Sequence, residues 1–156
     1  MRIESIKIQN LRQLKDITIR FLKKSHDNDL HVILAENGVG KTNILNAITW
    51  CLYKKEMHLR DEKSALTIVN SQVVEEKRKY GGGIVEVSVE MIISTEEDNK
   101  MTFKRVGIFN ITEDAVIGIN DKLSISYYEN GTPLIIEDEE ETTQLIHKYL
   151  PEEINN

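Results

Sequence analysis

The chain has 156 residues, which suits one domain built around one hydrophobic core. Its 20 basic residues against 26 acidic ones give a net charge of −6, which argues against a complete small nucleic-acid-binding module, a class that is usually basic. No apolar run reaches the roughly eighteen residues of a membrane span, and the N-terminus alternates charged and apolar residues, unlike a signal peptide. With only one cysteine, Cys51, no internal disulfide can form, so we expect a cytoplasmic protein.

Two strands are predicted at the N-terminus, over residues 2–8 and 16–21, because apolar and polar side chains alternate there. The polar residues 10–15 are expected to turn between them. A second polar loop, 23–29, leads to the sequence Leu-His-Val-Ile-Leu at 30–34. This short and nearly continuous apolar run predicts a strand that is buried on both faces.

Residues 43–53 are predicted to form a helix, since their apolar side chains fall at helical spacing on one stripe: Ile44, Leu45, Ile48, Cys51 and Leu52. A polar loop is expected over 54–63. A short, highly charged helix is predicted over 70–80, and three consecutive glycines end it.

The C-terminal half is predicted to be rich in β-structure. Apolar residues alternate from Val85 to Ile93, a turn follows at 96–100, and another strand is expected over 101–111. The dipeptide Asn130-Gly131, a strong hairpin signal, joins strands predicted at 123–128 and 133–136. A helix over 139–150 ends before Pro151. We therefore expect one mixed α+β domain over 1–156, with an N-terminal hairpin, a buried strand, a loop and helix, and then an antiparallel meander.

The loop between the predicted buried strand and the first helix carries the chemistry. Residues 35–42 read Ala-Glu-Asn-Gly-Val-Gly-Lys-Thr and follow the P-loop pattern G-x-x-x-x-G-K-S/T, except that Ala35 replaces the first glycine. In such a loop the glycines let backbone N–H groups converge on phosphate oxygens, and the next helix points its positive end at the same anion. Lys41 would reach the β- and γ-phosphates of ATP and Thr42 would ligate Mg²⁺. The candidate nucleotide-binding residues are Ala35, Glu36, Asn37, Gly38, Val39, Gly40, Lys41, Thr42 and Asn43, with Lys41 as the catalytic candidate.

The bland interpretation of the same residues is an ordinary glycine turn with an exposed lysine. A chance match to Gly-x-Gly-Lys-Thr is uncommon at average residue usage. The predicted strand before the loop and the amphipathic helix after it are the context that the motif requires, and they favour the P-loop.

Several phrases of the sequence resemble the SMC-like ABC ATPases, the group of SMC, RecF, RecN, SbcC and DndD. Residues 36–42 resemble their x-N-G-x-G-K-S/T loop, and 6–12, Ile-Lys-Ile-Gln-Asn-Leu-Arg, resemble their opening strand and turn. Residues 43–53 resemble the helix after their loop. The β-rich part and the Leu-Pro-Glu-Glu phrase at 150–153 most resemble DndD-type members. By this resemblance Arg12 is a further residue expected near the nucleotide.

The resemblance implies an ATP-binding half-head. In that group a long coiled coil and a C-terminal lobe follow the P-loop lobe, and the C-terminal lobe supplies the signature motif and the Walker B carboxylates. Two heads close on two ATP molecules, and the expected role is DNA repair, phage defence or modification-linked restriction. The expected partners are the C-terminal lobe, a second head in a homodimer, DNA and a nuclease. The chain would then be an ATP hydrolase only when complete, and inactive alone.

Two alternatives stay open at the level of sequence. In the first, the chain is a complete small P-loop phosphotransferase or NTPase, in which the apolar run 134–136 delivers Glu137 or Asp138 to the metal. The bland interpretation of that run is a hairpin strand followed by an acidic helix start, which the helix dipole favours. In the second alternative, the chain is an interaction module that senses ATP without hydrolysing it.

Four basic clusters are candidates for contact with a DNA backbone, although charge runs more often form solvated faces. They are Lys23 with Lys24, Lys54 with Lys55, Lys77 with Arg78 and Lys79, and Lys104 with Arg105.

Overall fold

The computed structural model describes residues 2–22, 31–34, 36, 38, 40–56, 68–95 and 99–150. Within that part of the chain it has the mixed α+β architecture expected from the sequence, a six-stranded antiparallel sheet with three helices. The elements are, in chain order, β1 (Arg2–Leu11), β2 (Leu14–Arg20), α1 (Lys41–Tyr53), α2 (Ser71–Lys79), β3 (Gly83–Ser94), β4 (Lys100–Ile111), β5 (Val116–Glu129), β6 (Thr132–Ile136) and α3 (Glu139–Tyr149).

The sheet has the order β2-β1-β3-β4-β5-β6, and each neighbouring pair is antiparallel. The last four strands form the expected meander. The N-terminal hairpin adds to it through β1, which pairs with β3 over most of its length. Because Leu14 already belongs to β2, the turn between β1 and β2 is shorter than the predicted segment 10–15.

One face of the sheet forms the core together with α1. The strand register places alternate side chains in rows across the sheet, and one row is Ile6, Met91, Phe103 and Ile125, all fully buried. Strand alternation is therefore the direct cause of the core, as the pattern from Val85 to Ile93 predicted.

Helix α1 packs on this face through a stripe that differs from the predicted one. Ile44, Cys51 and Leu52 are buried as expected, but Leu45 is 49% exposed. The centre of the contact is Trp50, which is 1% exposed and lies close to Gly107 of β4, where an added Cβ would be 3.2 Å from the indole ring. A glycine at position 107 thus makes room for the largest side chain of the core.

Cys51 lies within the same contact and is completely buried. Its Sγ is 3.5 Å from the carbonyl oxygen of Val89. Burial raises the pKa of this thiol to about 12, because the apolar surroundings disfavour the thiolate.

The predicted buried strand at 30–34 is wrong for the residues that the structure describes there. His31 to Leu34 form no strand, and Val32, Ile33 and Leu34 are 67%, 44% and 88% exposed. Leu30 lies outside the described residues. The apolar run has the composition of a core strand, but the described residues leave it largely uncovered. One local contact places His31 edge-on to Phe21, with ring centroids 5.2 Å apart.

The remaining sequence expectations are largely confirmed. Helices α1, α2 and α3 lie within two residues of the predicted bounds, and the Asn130-Gly131 turn joins β5 to β6 with positive φ at both residues. The first seven residues of β5, Val116 to Lys122, were not predicted as strand. The segments 23–29 and 57–63, and the first part of the turn at 96–100, lie outside the described residues.

Candidate functional site

The glycines of the P-loop have the backbone conformation that the motif requires. Gly38 has φ 85° and Gly40 has φ 97°, values that side-chain-bearing residues rarely adopt. A Cβ on Gly40 would also lie 3.3 Å from Leu14 Cδ2, so both conformation and space favour glycine there. Ala35, Asn37 and Val39 lie outside the described residues, and their predicted contacts with nucleotide stay predictions.

Lys41 is the first residue of α1, where the motif places its lysine. Its Nζ donates to the carbonyl oxygen of Glu36, with a separation of 2.9 Å, so the side chain folds back over the loop. A phosphate oxygen is an acceptor of the same kind with a full negative charge, so this ammonium can exchange the carbonyl for a phosphate. Glu36 is thus placed beside the lysine through its backbone.

The N-terminus of α1 is suited to an anion. Asn43 N and Ile44 N both donate to the carbonyl oxygen of Gly40, at 3.0 and 3.3 Å. The helix has no side-chain cap and no acidic residue in its first turn. Thr42 is exposed in that turn, where its hydroxyl can reach a metal ion beside the phosphates. The residues present therefore fit a Mg-nucleotide by donor chemistry and by helix polarity.

The turn between β1 and β2 lies directly beside the P-loop through Gln13, a residue that sequence reasoning did not single out. Asn43 Nδ2 donates to Gln13 Oε1 at 3.4 Å, and the same Gln13 oxygen is 3.5 Å from the ideal Cβ position of Gly40. The contact joins residues that are 30 positions apart, and no local sequence signal could have indicated it.

Arg12 belongs to the same turn and has φ 48°. It is not a solvated arginine, because its Nε and Nη2 donate to the two carboxylate oxygens of Glu56 at 2.5 and 2.8 Å. The two side chains are only 15% and 6% exposed. The structure places Arg12 next to Gln13 and hence near the loop, while its contact with a nucleotide stays a prediction.

Backbone contacts hold this turn in place. Arg12 N donates to the carbonyl oxygen of Ile68, and Asn70 N donates to that of Asn10, both at 2.7 Å. The Asn70 side chain donates to the Arg12 carbonyl oxygen and accepts from Gln72 N and Val73 N at the start of α2. One buried asparagine thus caps a helix and fixes the turn beside the P-loop.

The Walker B-like run does not reach the P-loop. It belongs to β6, an edge strand four strand spacings, or about 19 Å, from β1. Asp138 accepts from Glu140 N and Glu141 N as the cap of α3, and Glu137 forms an ion pair with Lys122. These contacts fit the bland interpretation, a hairpin strand followed by an acidic helix start. They oppose a metal-binding role for either carboxylate at the P-loop.

The basic clusters differ in the exposure of their side chains and hence in their availability to DNA. Arg105 is 7% exposed and points into the core, so it is unavailable to DNA. Lys77, Arg78 and Lys79 end α2, where the helix dipole favours positive charge. Lys23 and Lys24 lie outside the described residues. Among the residues that the structure describes, no group of three or more His, Cys, Asp or Glu side chains is arranged to hold a metal ion.

A glycine-supported phosphate loop at the start of a helix is thus in place, and a comparison with known families agrees with it. The family model AAA_23, described as an AAA domain, matches residues 5–156. The chain belongs to this family of AAA domains. The AAA domain is a P-loop ATPase domain of a kind found in SMC-like proteins, and it binds nucleotide.

No curated protein matches the sequence of this AAA domain. In the described part of the domain no helix is both long and apolar enough to cross a membrane.

Proposed function

We propose that this AAA domain is the ATP-binding N-terminal lobe of an SMC-like ATPase that acts on DNA. The observation that carries the proposal is the P-loop itself, with positive φ at Gly38 and Gly40 and with Lys41 folded over the loop. The family match over 5–156 supports an ATPase lobe in general.

In this proposal Lys41, Thr42 and the start of α1 hold Mg-ATP. The Lys41 ammonium would leave the Glu36 carbonyl and neutralise charge on the β- and γ-phosphates. The Thr42 hydroxyl would hold Mg²⁺, which supplies further charge neutralisation on the same phosphates. Backbone N–H groups at the start of α1 would contact phosphate oxygens, and Asn43 would keep the first turn fixed to Gln13.

The half-head interpretation rests on the surface beside the loop. Leu22, which follows β2, and Val32 and Leu34, which precede the P-loop in the chain, are 75%, 67% and 88% exposed. Exposure of large apolar side chains is costly in water, and it supports a surface that another element covers. A second lobe that packs here would also bring the Walker B carboxylates that β6 does not provide at this site.

Turnover would then require the complete protein. ATP would bind this lobe, and two complete heads would close on two ATP molecules, since ATP binds better to the closed dimer than to the open heads. Hydrolysis needs a positioned water and charge stabilisation in addition to a P-loop. Opening of the heads after hydrolysis would release DNA, and a nuclease partner would suit a role in repair, phage defence or restriction.

The decisive experiment measures ATP binding and ATP turnover by this chain with Mg²⁺ at several protein concentrations. We expect binding with turnover at the background level. Lys41→Ala is expected to weaken ATP binding by about 100-fold, because the lost hydrogen bonds are charge-assisted. The matched control is Lys79→Ala at the exposed end of α2, which removes the same charge and should leave affinity unchanged.

The outcomes separate the proposal from its rivals. Unchanged ATP affinity in Lys41→Ala would contradict the nucleotide site. Clear turnover with a per-molecule rate that is independent of concentration would favour the complete small enzyme. Restored turnover when a C-terminal lobe is added supports the half-head, whereas an ATP-dependent partner with no turnover in any complex supports the sensing module.

A further inference from the structure

A cavity lies at the opposite end of α1 from the P-loop. It has a volume of about 500 Å³ and opens between the last turn of α1, strands β4 and β5, and α3; we call it the α1–α3 cavity. Small-molecule sites in proteins have volumes of roughly 300–1,000 Å³, so its size suits a metabolite. Since α1 has 13 residues, the helix rise separates the cavity from Lys41 by about 18 Å.

Three apolar side chains form one part of the cavity lining, which we call the apolar floor. Leu52, Leu123 and Ile146 line it and are 8%, 8% and 4% exposed, so their side chains already belong to the core. Tyr53 stands beside them at the end of α1. A ligand with an apolar or aromatic part can cover this floor and remove apolar surface from water.

Basic residues outnumber acidic ones in the wall of the cavity, although acidic residues are in excess in the whole chain. Acidic residues outnumber basic ones by 26 to 20 overall, yet four basic side chains and three acidic ones line the cavity. The basic ones are Lys54, Lys55, Arg105 and Lys122, and the acidic ones are Asp121, Glu137 and Glu139. His147 also lines the wall.

The basic side chains of the wall differ in how tightly their contacts fix them. Arg105 is fixed, because its Nε donates to the Cys51 carbonyl oxygen at 2.8 Å and its Nη1 pairs with Asp121. Lys54 is loose, with its Nζ 3.9 Å from Asp121 Oδ1 and its side chain 62% exposed. Exposed ion pairs of this kind contribute little, so the lysine can turn to a stronger anion.

We propose that the α1–α3 cavity binds a small phosphorylated organic molecule, with its phosphate against Lys54 and Lys55 and its organic part on the apolar floor. A phosphate monoester carries about 1.5 to 2 negative charges near neutral pH and several acceptor oxygens. It can therefore compete with the single charge of Asp121 for Lys54. This site is separate from the P-loop and does not depend on the proposed ATPase cycle.

The test uses the full chain with Lys41→Ala as background, so that the P-loop does not compete for phosphate. Adenosine monophosphate, ribose 5-phosphate and inorganic phosphate are titrated while the backbone amide resonances are followed by NMR. The cavity variant is Lys54→Asn with Lys55→Ala; asparagine is chosen because Lys54 has φ 60°, a conformation that asparagine tolerates. The charge-matched control is Lys79→Ala with Lys104→Ala, two exposed positions outside the cavity.

We expect saturable shifts for Leu52 to Lys55 and for Thr142 to His147 with one of the organic phosphates, at a Kd below about 1 mM. The cavity variant should weaken this binding by about tenfold, and the control should change it by less than about twofold. Well-dispersed spectra of both variants verify folding in the same experiment. Three results would overturn the proposal: no saturable shift at the cavity, equal losses in both variants, or equal affinity for inorganic phosphate, which would leave the apolar floor without a role.

Discussion

The sheet around Phe103 and the approach to the P-loop are built from similarly apolar residues, yet they differ in cover. Phe103 and Met91 are fully buried between strands and α1, whereas Val32 and Leu34 are 67% and 88% exposed. Composition alone does not distinguish the two regions. The difference is that β3, β4 and β5 pair with one another as consecutive strands and pack against α1. The described residues provide no such layer over 31–34. The first region is a finished core, and the described residues leave the second exposed.

The largest expected effect comes from opening the finished core. Trp50→Ala should lower the free energy of unfolding by about 3–5 kcal/mol, because it removes a fully buried indole and leaves a cavity against β4. Urea denaturation at neutral pH measures this change. Leu45→Ala on the exposed side of the same helix is the control, expected within about 0.5 kcal/mol of wild type. Equal effects of the two changes would show that α1 does not pack as described.

A smaller effect is expected at the polar end of the same core. Arg105→Met should lower the free energy of unfolding by about 1–3 kcal/mol, since it leaves the Cys51 carbonyl oxygen and Asp121 without their donor. Lys122→Met removes the same charge from a half-exposed neighbour and should have almost no effect. Comparison of the two urea midpoints gives the result. If Arg105→Met leaves the urea midpoint unchanged, water takes the place of the guanidinium there.

Substitutions in the uncovered segment 31–34 should change the free energy of unfolding only slightly. Val32→Asp combined with Leu34→Asp is expected to change the free energy of unfolding by no more than about 0.5 kcal/mol, since both side chains face solvent. Thermal and urea unfolding of the isolated chain provide the measurement. A loss above about 2 kcal/mol would show that residues of this chain cover the run after all. If the half-head proposal holds, the same variant should fail to associate with the C-terminal lobe.

The smallest effect is expected at the rim of the sheet. Lys100 Nζ donates to Glu4 at 2.7 Å, and this hydrogen bond lowers the pKa of Glu4 below its usual 4.5. Because the folded state favours the carboxylate, the contribution is present above pH 4.5 and is lost as pH falls through the lowered pKa. Lys100 is 63% exposed, so the contribution is about 0.5 kcal/mol or less. Lys100→Ala should therefore be slightly less stable than wild type at pH 7, and the two should converge in acid.

Sequence reasoning succeeded where the signal was local. The alternation from Val85 to Ile93, the Asn130-Gly131 turn and the helical spacing of α1 each depend on neighbouring residues, and the structure has all three elements. It also located the P-loop, since Gly40 and Lys41 are adjacent in the chain. The first part of β5 was missed because Gly118 and Asn120 have low strand propensity, and pairing with β4 overrides that preference.

Sequence reasoning failed where distant residues determine the outcome. The contact of Gln13 with Asn43 and the ion pair of Arg12 with Glu56 join segments 30 and 44 positions apart. An apolar run such as 30–34 carries its hydrophobicity in the sequence but not the identity of whatever covers it. The α1–α3 cavity arises from strand register, which brings Arg105 opposite Leu123 and beside Asp121.

The reactivity of the single thiol can report how often the core opens. With a pKa of about 12 and no exposed surface, Cys51 can react with an alkylating reagent only when α1 lifts from the sheet. When closing is faster than modification, the modification rate gives the fraction of molecules with an open core, without any introduced label. Comparing this rate with and without ATP would reveal whether nucleotide binding at the first turn of α1 changes how often its last turn separates from the sheet.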